Sequence, residues 1–349
     1  MLTLTPLQQM YDQLKESDPK IRIRDAAKKL QVSELELLEL GLEKHVIRLK
    51  GDWKTLIGEL HEVDRVMALT RNEYVVHERK GIYNNISFFK KGDMGVAVNE
   101  DIDLRFFMKE WVHAYAVRMV KSKQTLHSLQ FFNAAGEAVH KIYLTSKSNP
   151  LAFEKLLKKY TAKAQNQRVA VKKKKEKEKS DLTLSLEDQS RFQMEWLQLK
   201  DTHDFYPLIN KYNLNRLQAL QIAPKGYAQR ISQAAIKDLF KSAAAAQLPI
   251  MVFVGNSGCI QIHTGTVNNL VDMKNWFNVM DPDFNLHLNM NGVEENWIVK
   301  KPTADGIVTS IEVFSPEKDI ILQCFGKRKP GKPELQAWRD IVAQLAINE

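Results

Sequence analysis

One of the chain's nine histidines sits in a segment that could do chemistry. His203 lies in Glu195-Trp196-Leu197-Gln198-Leu199-Lys200-Asp201-Thr202-His203-Asp204-Phe205-Tyr206, where a helix carrying Trp196 and Leu199 runs into an aromatic pair. A neutral imidazole among aromatic side chains has the composition of a haem axial site. A core or helix-capping histidine fits that composition equally well, and the residues alone leave both readings open. His61, His127 and His140 read as surface or core fillers. Other chemistries find no foothold: there is no P-loop, no Gly-x-Gly-x-x-Gly after a strand, no His-Glu-x-x-His and no cysteine pair at zinc spacing. Cys259 and Cys324 are far apart in sequence and Cys259 lies in an apolar strand, so a buried structural thiol fits better than a nucleophile.

The elements that position these groups must come from a chain of 349 residues, 44% hydrophobic and 27% charged, which is a folded composition long enough for two domains. Two cysteines cannot make a disulfide framework, so a reducing compartment is expected. No run approaches the roughly eighteen apolar residues of a membrane span. Met1-Leu-Thr-Leu-Thr-Pro6 lacks the basic stretch and apolar core of a secretory signal, and a cytoplasmic protein without membrane insertion is expected.

Lys and Arg number 51 against 42 Asp and Glu, a net +9 that points to an anionic partner. Much of it is local. Gln165 to Ser180 holds Arg168, Lys172, Lys173, Lys174, Lys175, Lys177 and Lys179 against Glu176 and Glu178, so +5 of the +9 sits there. Without an aromatic residue to stack on a base, the stretch 165–183 reads as a solvated linker rather than a nucleic-acid tether. Asp25-Ala26-Ala27 with Leu30-Gln31-Val32-Ser33-Glu34-Leu35 resembles a helix-turn-helix. Its second helix is acidic (Glu34, Glu36, Glu39), which phosphate repels. A nucleic-acid-binding protein using the lysine run and this helix pair is the alternative function.

On either side of the linker the sequence repeats. Asp103-Leu104-Arg105-Phe106-Phe107-Met108 aligns with Asn285-Leu286-His287-Leu288-Asn289-Met290. At the same offset Ser128-Leu129-Gln130-Phe131-Phe132 meets Ser310-Ile311-Glu312-Val313-Phe314, and Tyr143 meets Phe325. Upstream, Tyr74 to Tyr83 is set against Met251 to Ile260. The expectation is an α+β fold with an internal duplication: a first repeat over 1–164 and a second over 184–349, each with helices followed by a large antiparallel meander. Helical periodicity covers Leu7 to Leu14, Arg24 to Leu42, Trp53 to Val66, Ser190 to Tyr212, Leu214 to Ile222 and Tyr227 to Ala246. Strands are expected at Tyr74 to His77, Gly81 to Phe89, Asp103 to Phe107, His113 to Val120, Thr125 to Phe132 and Ala138 to Tyr143. Their counterparts run over Ile250 to Val254, Cys259 to Thr264, Asn285 to Leu288, Glu295 to Lys300, Ile307 to Phe314 and Ile320 to Phe325.

Several motifs occur together: Glu195-Trp196 with His203 and Phe205, Asn256-x-Gly258-Cys259-Ile260-Gln261-Ile262-x-Thr264-Gly265, Lys301-Pro302-Thr303-x-Asp305-Gly306, and Gln323-x-Phe325-Gly326-x-Arg328. The first half adds Arg71-Asn72-Glu73-Tyr74-x-Val76-His77-Glu78 and Asp103-Leu104-Arg105. Over essentially its whole length the chain resembles the cytoplasmic haemin-transport and haemin-degrading proteins of Gram-negative bacteria, the HemS/HmuS/ChuS type. The resemblance implies haem b (iron protoporphyrin IX) as ligand or substrate in a cleft between the halves. His203 would bind the iron from the proximal side, and Arg105 would reach the distal face. Those two residues would also serve a reductant- and O2-dependent, haem oxygenase-like degradation. Propionate-binding groups map to Arg216, Lys301, Gln323 and Arg328. Phe325 stands where the family usually has tyrosine, which removes a hydroxyl from the set. The repeat position of Arg105 is His287, so the halves have diverged there. The resemblance also implies an inner-membrane haem importer, a haem-accepting protein and an electron donor as partners. It leaves carrier and haem-degrading enzyme both open. The duplication suggests a second, weaker haem site near His77, for which a structural histidine is the competing reading.

Overall fold

The computed structural model describes residues 5–89, 93–121, 124–173, 184–328 and 331–347. Contacts divide the chain into two units, Met1–Thr70 with Arg79–Lys175 and Asn256–Ile260, and Arg71–Glu78 with Glu176–Gly255 and Gln261–Glu349.

In the first unit, polar caps and left-handed residues cut the helical periodicity into shorter pieces. Helix α1 (Pro6–Ser17) starts at Thr5 with Pro6 in its first turn, where a missing N–H is harmless. Helix α2 (Ile23–Leu30) stops at Gln31, whose φ of 56° cannot continue a helix, and Ser33 with Glu36 forms the capping box of α3 (Glu34–Leu38). The single helix expected from Arg24 to Leu42 is therefore two, followed by a 3-10 turn at Glu39–Gly41. After β1 (Val46–Arg48), Asp52 caps α4 (Trp53–Glu59). That helix was expected to reach Val66, but Asp64, at φ 63°, turns the chain into β2 (Asp64–Arg71). Strand β3 (Val75–Gly81) begins within Arg71–Glu78 of the second unit; β4 (Ile86–Phe88), β5 (Met94–Val98), β6 (Asp103–Phe107), β7 (His113–Lys121), β8 (Gln124–Phe132) and β9 (Ala138–Ser148) follow, then α5 (Pro150–Tyr160). Of the strand expected over Gly81 to Phe89, only Ile86–Phe88 pairs as β4. Strands β1-β7-β8-β9-β2 run in that antiparallel order, and β4-β5-β6 are consecutive antiparallel neighbours. Leu56, Ile57 and Leu60 pack with Phe153, Leu156, Trp111 and Phe131 as one core, each such side chain contributing roughly 1.5–3 kcal/mol.

The second unit repeats this plan. Its helices are α6 (Leu186–Leu197), α7 (Phe205–Lys211) and α8 (Arg216–Gln221), then α9 (Ala235–Ala245) after β10 (Ala228–Ile231). Strands β11 (Ile250–Gly255), β12 (Cys259–Gly265, whose first two residues belong to the first unit), β13 (Leu270–Met273), β14 (Trp276–Met280), β15 (Phe284–Asn289), β16 (Glu295–Thr303), β17 (Gly306–Phe314) and β18 (Ile320–Gly326) precede α10 (Gln336–Ile347). The order β10-β16-β17-β18-β11 reproduces β1-β7-β8-β9-β2, and β13-β14-β15 reproduces β4-β5-β6. The duplication is thus visible in strand order. Two expected helices shorten here too. The one from Ser190 to Tyr212 breaks after Leu197, and Ala228–Ile231, expected as helix, pairs with β16. Gly306, at φ 108°, closes the β16–β17 hairpin in a backbone region other residues rarely enter.

The upstream repeat alignment needs correction by one strand. Met67 opposes Tyr143 and Met251 opposes Phe325, so β2, not the Tyr74 segment, is the counterpart of β11. The linker also changes in part. Val169 and Val171 pack beside Leu35, Val46 and Phe132. Gln165 brackets the backbone of Arg48 at 2.8 and 3.0 Å, and Lys172 donates its N–H to Ala134 at 2.7 Å. Residues 165–172 are therefore tied to the first unit at Gln165, Val169, Val171 and the Lys172 N–H, while Asn166, Gln167, Arg168, Ala170 and Lys172 stay exposed. Lys174, Lys175, Lys177 and Lys179 lie outside the described residues.

Candidate functional site

The side chains of β16, β17 and β18 alternate between two faces. Ile298, Ile311 and Cys324 face α9 and α10, buried with Leu239, Phe240, Trp338 and Val342. Lys301, Ser310, Glu312, Gln323 and Phe325 share the other face, against which α6 and α7 are pinned. Trp196 donates its indole N–H to the Lys300 carbonyl at 3.0 Å, and Phe205 meets the indole edge-on at 4.5 Å.

Glu312 is the centre of this face. Its carboxylate is fully buried and accepts from Arg216 Nε and Nη2 at 2.6 and 2.6 Å, Lys301 Nζ at 2.9 Å, Ser310 Oγ at 3.1 Å and Gln323 Nε2 at 3.2 Å. Burial opposes its charge, but Arg216 and Lys301 outweigh that and hold the carboxyl well below the usual carboxylate range. Burial pulls the Lys301 ammonium down, and Glu312 works against the fall. Beneath both cations lies the Phe205 ring, 5.3 Å from the guanidinium and 4.9 Å from the ammonium. Two cations on one carboxylate leave a local +1, presented by Arg216, whose side chain is 25% exposed against 3% for Lys301. The structure thus brings Arg216, Lys301 and Gln323 together, around a residue that the sequence did not single out.

The repeat shows where that residue came from. Gln130 opposes Lys141 in the first unit as Glu312 opposes Gln323 in the second. Ser33 and Glu36 cap α3 as Asn215 and Gln218 cap α8, which sets Glu34 against Arg216. The first-unit locus holds a buried Glu34–Lys141 ion pair with Gln130 beside Ser128 at 3.1 Å. Its charge is zero and the second unit's is +1. A lone glutamate in the apolar run Ile307 to Phe314 was the available signal.

His203 lies in the turn between α6 and α7. Asp201 Oδ1 accepts the backbone N–H of His203 at 2.8 Å, and Asp204 closes the turn on the N–H of Asp201 at 3.1 Å. The imidazole is 92% exposed, with Nδ1 2.6 Å from Asp201 Oδ1. An ionised carboxylate only accepts, so this contact calls for a proton on Nδ1 and leaves Nε2 for another partner. The backbone N–H of His203 does most to hold the Asp201 carboxyl low, the imidazole adds to it, and the field of Arg328 contributes further. Arg328 Nη2 sits 3.7 Å from Asp305 Oδ2. The aromatic pair has another role: Phe205 is buried in the core and Tyr206 is exposed. Phe325 packs on Phe253 at 5.0 Å.

In the first unit, Arg105 lies on β6 with Asp103 two residues before it. Its Nη1 is bonded to Asp103 Oδ1 and, at 3.1 Å, to the Leu104 carbonyl. Burial raises the Asp103 carboxyl while Arg105 lowers it. At the repeat position, His287 Nδ1 meets Asn278 Oδ1 at 2.7 Å. His77 is fully buried beside Phe284 at 5.0 Å, as a structural histidine would be. His140 is also core, bonded to Thr70 at 2.8 Å and Tyr83 at 2.6 Å, and burial lowers its pKa to about 3. Among the described residues no group of three or more His, Cys, Asp and Glu could hold a metal ion, and no helix is long and apolar enough to cross a membrane.

Both cysteines are buried, which pushes the Cys259 thiol up to about 12 and raises Cys324 as well. A thiol-specific reagent is expected to label neither in the folded protein and both in denaturant; rapid labelling of the native chain would contradict their burial. Part of the helix pair of the nucleic-acid alternative is similarly enclosed. Glu34 and Glu39 of the helix pair are buried, Glu39 bonded to Arg48 at 2.7 Å and Tyr115 at 2.6 Å, so this face is committed to the core.

Fold and site together define a duplicated α+β protein in which one unit displays a carboxylate-backed histidine and a +1 cluster around a buried glutamate. The model of the haemin-degrading HemS.ChuX domain matches residues 31–160 and again 213–345, once in each repeat, and the chain belongs to that family. It is 34% identical to the hemin transport protein HemS of Yersinia enterocolitica, over 97% of this chain and 96% of that one. The holo form of PhuS, a heme-binding protein from Pseudomonas aeruginosa, superposes with a TM-score of 0.91 at 42% identity, covering 97% of this chain and 98% of PhuS. The heme degrading enzyme ChuS of Escherichia coli O157:H7 gives 0.89 at 32% identity, covering 97% and 98%.

Proposed function

We propose that this chain binds haem, taking up imported haemin in the cytoplasm for trafficking or oxidative degradation. The observation that carries the proposal is His203: an exposed imidazole whose Nδ1 lies 2.6 Å from Asp201 Oδ1, which leaves Nε2 for an iron. Arg216 and Arg328 are the cations placed to meet a dianionic macrocycle, because both keep part of their side chains exposed. Lys301 and Gln323 serve the same grip through Glu312, which they hold in place under Arg216. Phe325 supplies apolar surface without the hydroxyl of the family's tyrosine. Arg105 is the proposed distal hydrogen-bond donor. When bound, haem supplies the iron at which dioxygen is reduced, and its own macrocycle is then the substrate. An inner-membrane importer, a haem-accepting protein and an electron donor complete the proposal as partners.

The neutral first-unit locus, together with buried His77, favours a single haem per chain. Titrating haemin into the purified protein is expected to give a sharp Soret band that saturates at about one equivalent. Adding a reductant in air with catalase present then separates the two roles: loss of the band with an open tetrapyrrole marks degradation, and a persistent band marks a carrier. No Soret band, together with salt-dependent DNA affinity lost on deleting Lys172–Lys179, would overturn the proposal in favour of nucleic acid.

A further inference from the structure

We infer that Asp201 is the positioning residue of the haem site, fixing which imidazole nitrogen of His203 meets the iron and how strongly it donates. The inference rests on His203 as the iron ligand. In water a free imidazole exchanges its proton between two nitrogens and turns about its side-chain bonds, so an exposed histidine offers no defined ligand atom. Here one carboxylate oxygen does two jobs. Oδ1 of Asp201 accepts the backbone N–H of His203 at 2.8 Å and meets its Nδ1 at 2.6 Å, tying ring and backbone to the same atom. The carboxylate is in turn set by the turn it caps, whose far end, Asp204, bonds back to the Asp201 N–H at 3.1 Å. With Nδ1–H committed, Nε2 is left as the lone-pair nitrogen, and the negative charge behind the ring makes it a stronger donor, which favours ferric over ferrous iron. The segment Asp201-Thr202-His203-Asp204 is therefore a self-contained ligand mount, and its geometry exists before any haem arrives.

Asp201→Asn separates charge from capping, because asparagine caps a turn as well as aspartate does. Three readouts on the full chain test the inference. In the haem-free protein, long-range proton–nitrogen spectra of labelled histidine, with His203 assigned by its loss in His203→Ala, are expected to show a proton on Nδ1. Asp201→Ala should shift it toward Nε2. In the haem-loaded protein, Asp201→Asn and Asp201→Ala are each expected to raise the midpoint potential, by about 59 mV for every tenfold loss of ferric-over-ferrous preference in this one-electron couple. Asp201→Glu should recover part of the shift. If His203→Ala moves the Soret band but both Asp201 variants keep the wild-type tautomer and potential, the inference fails while the haem assignment stands. If His203→Ala leaves the band unchanged, the assignment itself fails and the inference falls with it.

Discussion

His203→Ala is expected to weaken haemin binding by at least about 100-fold and to shift and broaden the Soret band. Removing only an outer partner of a metal ligand costs 10–100-fold in affinity, and deleting the ligand atom itself should cost no less. The substitution isolates this effect because it asks little of the fold. The imidazole is 92% exposed, with Asp201 as its bonded partner. The backbone N–H that Asp201 caps remains in alanine, so the turn keeps its anchor. A surface change of this kind should move unfolding free energy by no more than about 0.5 kcal/mol. Equal unfolding midpoints with unequal haemin affinities would locate the loss at the iron. Free imidazole added to the variant should restore much of the wild-type spectrum by supplying the missing nitrogen. An unchanged affinity and spectrum in His203→Ala would remove this residue from the iron altogether.

The duplication was legible because strand pairs carry paired signals. Ser128 with Gln130 and Ser310 with Glu312 hold equivalent registers against β9 and β18, so the same offset recurs wherever two strands must match. Two of the shortest elements were not legible. Strands β1 and β10 are too short for a period to show, and both exist by pairing with long neighbours. Helix ends were overrun for a related reason: apolar spacing continues past Leu30, Glu59 and Leu197, while the breaks come from single residues such as Gln31 and Asp64. At the site, His203 drew attention through its aromatic neighbours, which turn out to serve packing in the case of Trp196 and Phe205. The bonded partner of its imidazole is Asp201, two residues earlier. Glu312 was hidden because its neighbours in β17 are apolar and its partners come from α8, β16 and β18. A burial site assembled from four elements leaves little local pattern beyond that lone glutamate.

Glu312→Gln is expected to destabilise the second unit by about 3–5 kcal/mol, the range seen when one partner of a buried ion pair is removed. The amide keeps the size of the side chain but strands Lys301, whose ammonium is almost entirely enclosed and has Glu312 as its hydrogen-bonded anion. Lys301 answers by giving up its proton, and Arg216 loses the bidentate contact that fixes its guanidinium. Lys301→Met should cost less, since Glu312 then keeps Arg216, Ser310 and Gln323. The double variant should recover part of the Glu312→Gln loss, because no unpaired ammonium remains buried, and the coupling read from the cycle reports the pair directly. Denaturant midpoints measured on all four chains, with a check that the slopes agree, supply these values. The sign with pH follows from the depressed carboxyl. Stability from Glu312 ionisation is fully present above the ordinary glutamate value of about 4.3 and is lost as pH falls below it toward the lowered folded value. Glu312→Gln should therefore flatten the acid limb of the stability profile. A variant as stable as wild type at neutral pH, with the same acid limb, would show that the buried carboxylate does not hold this face together.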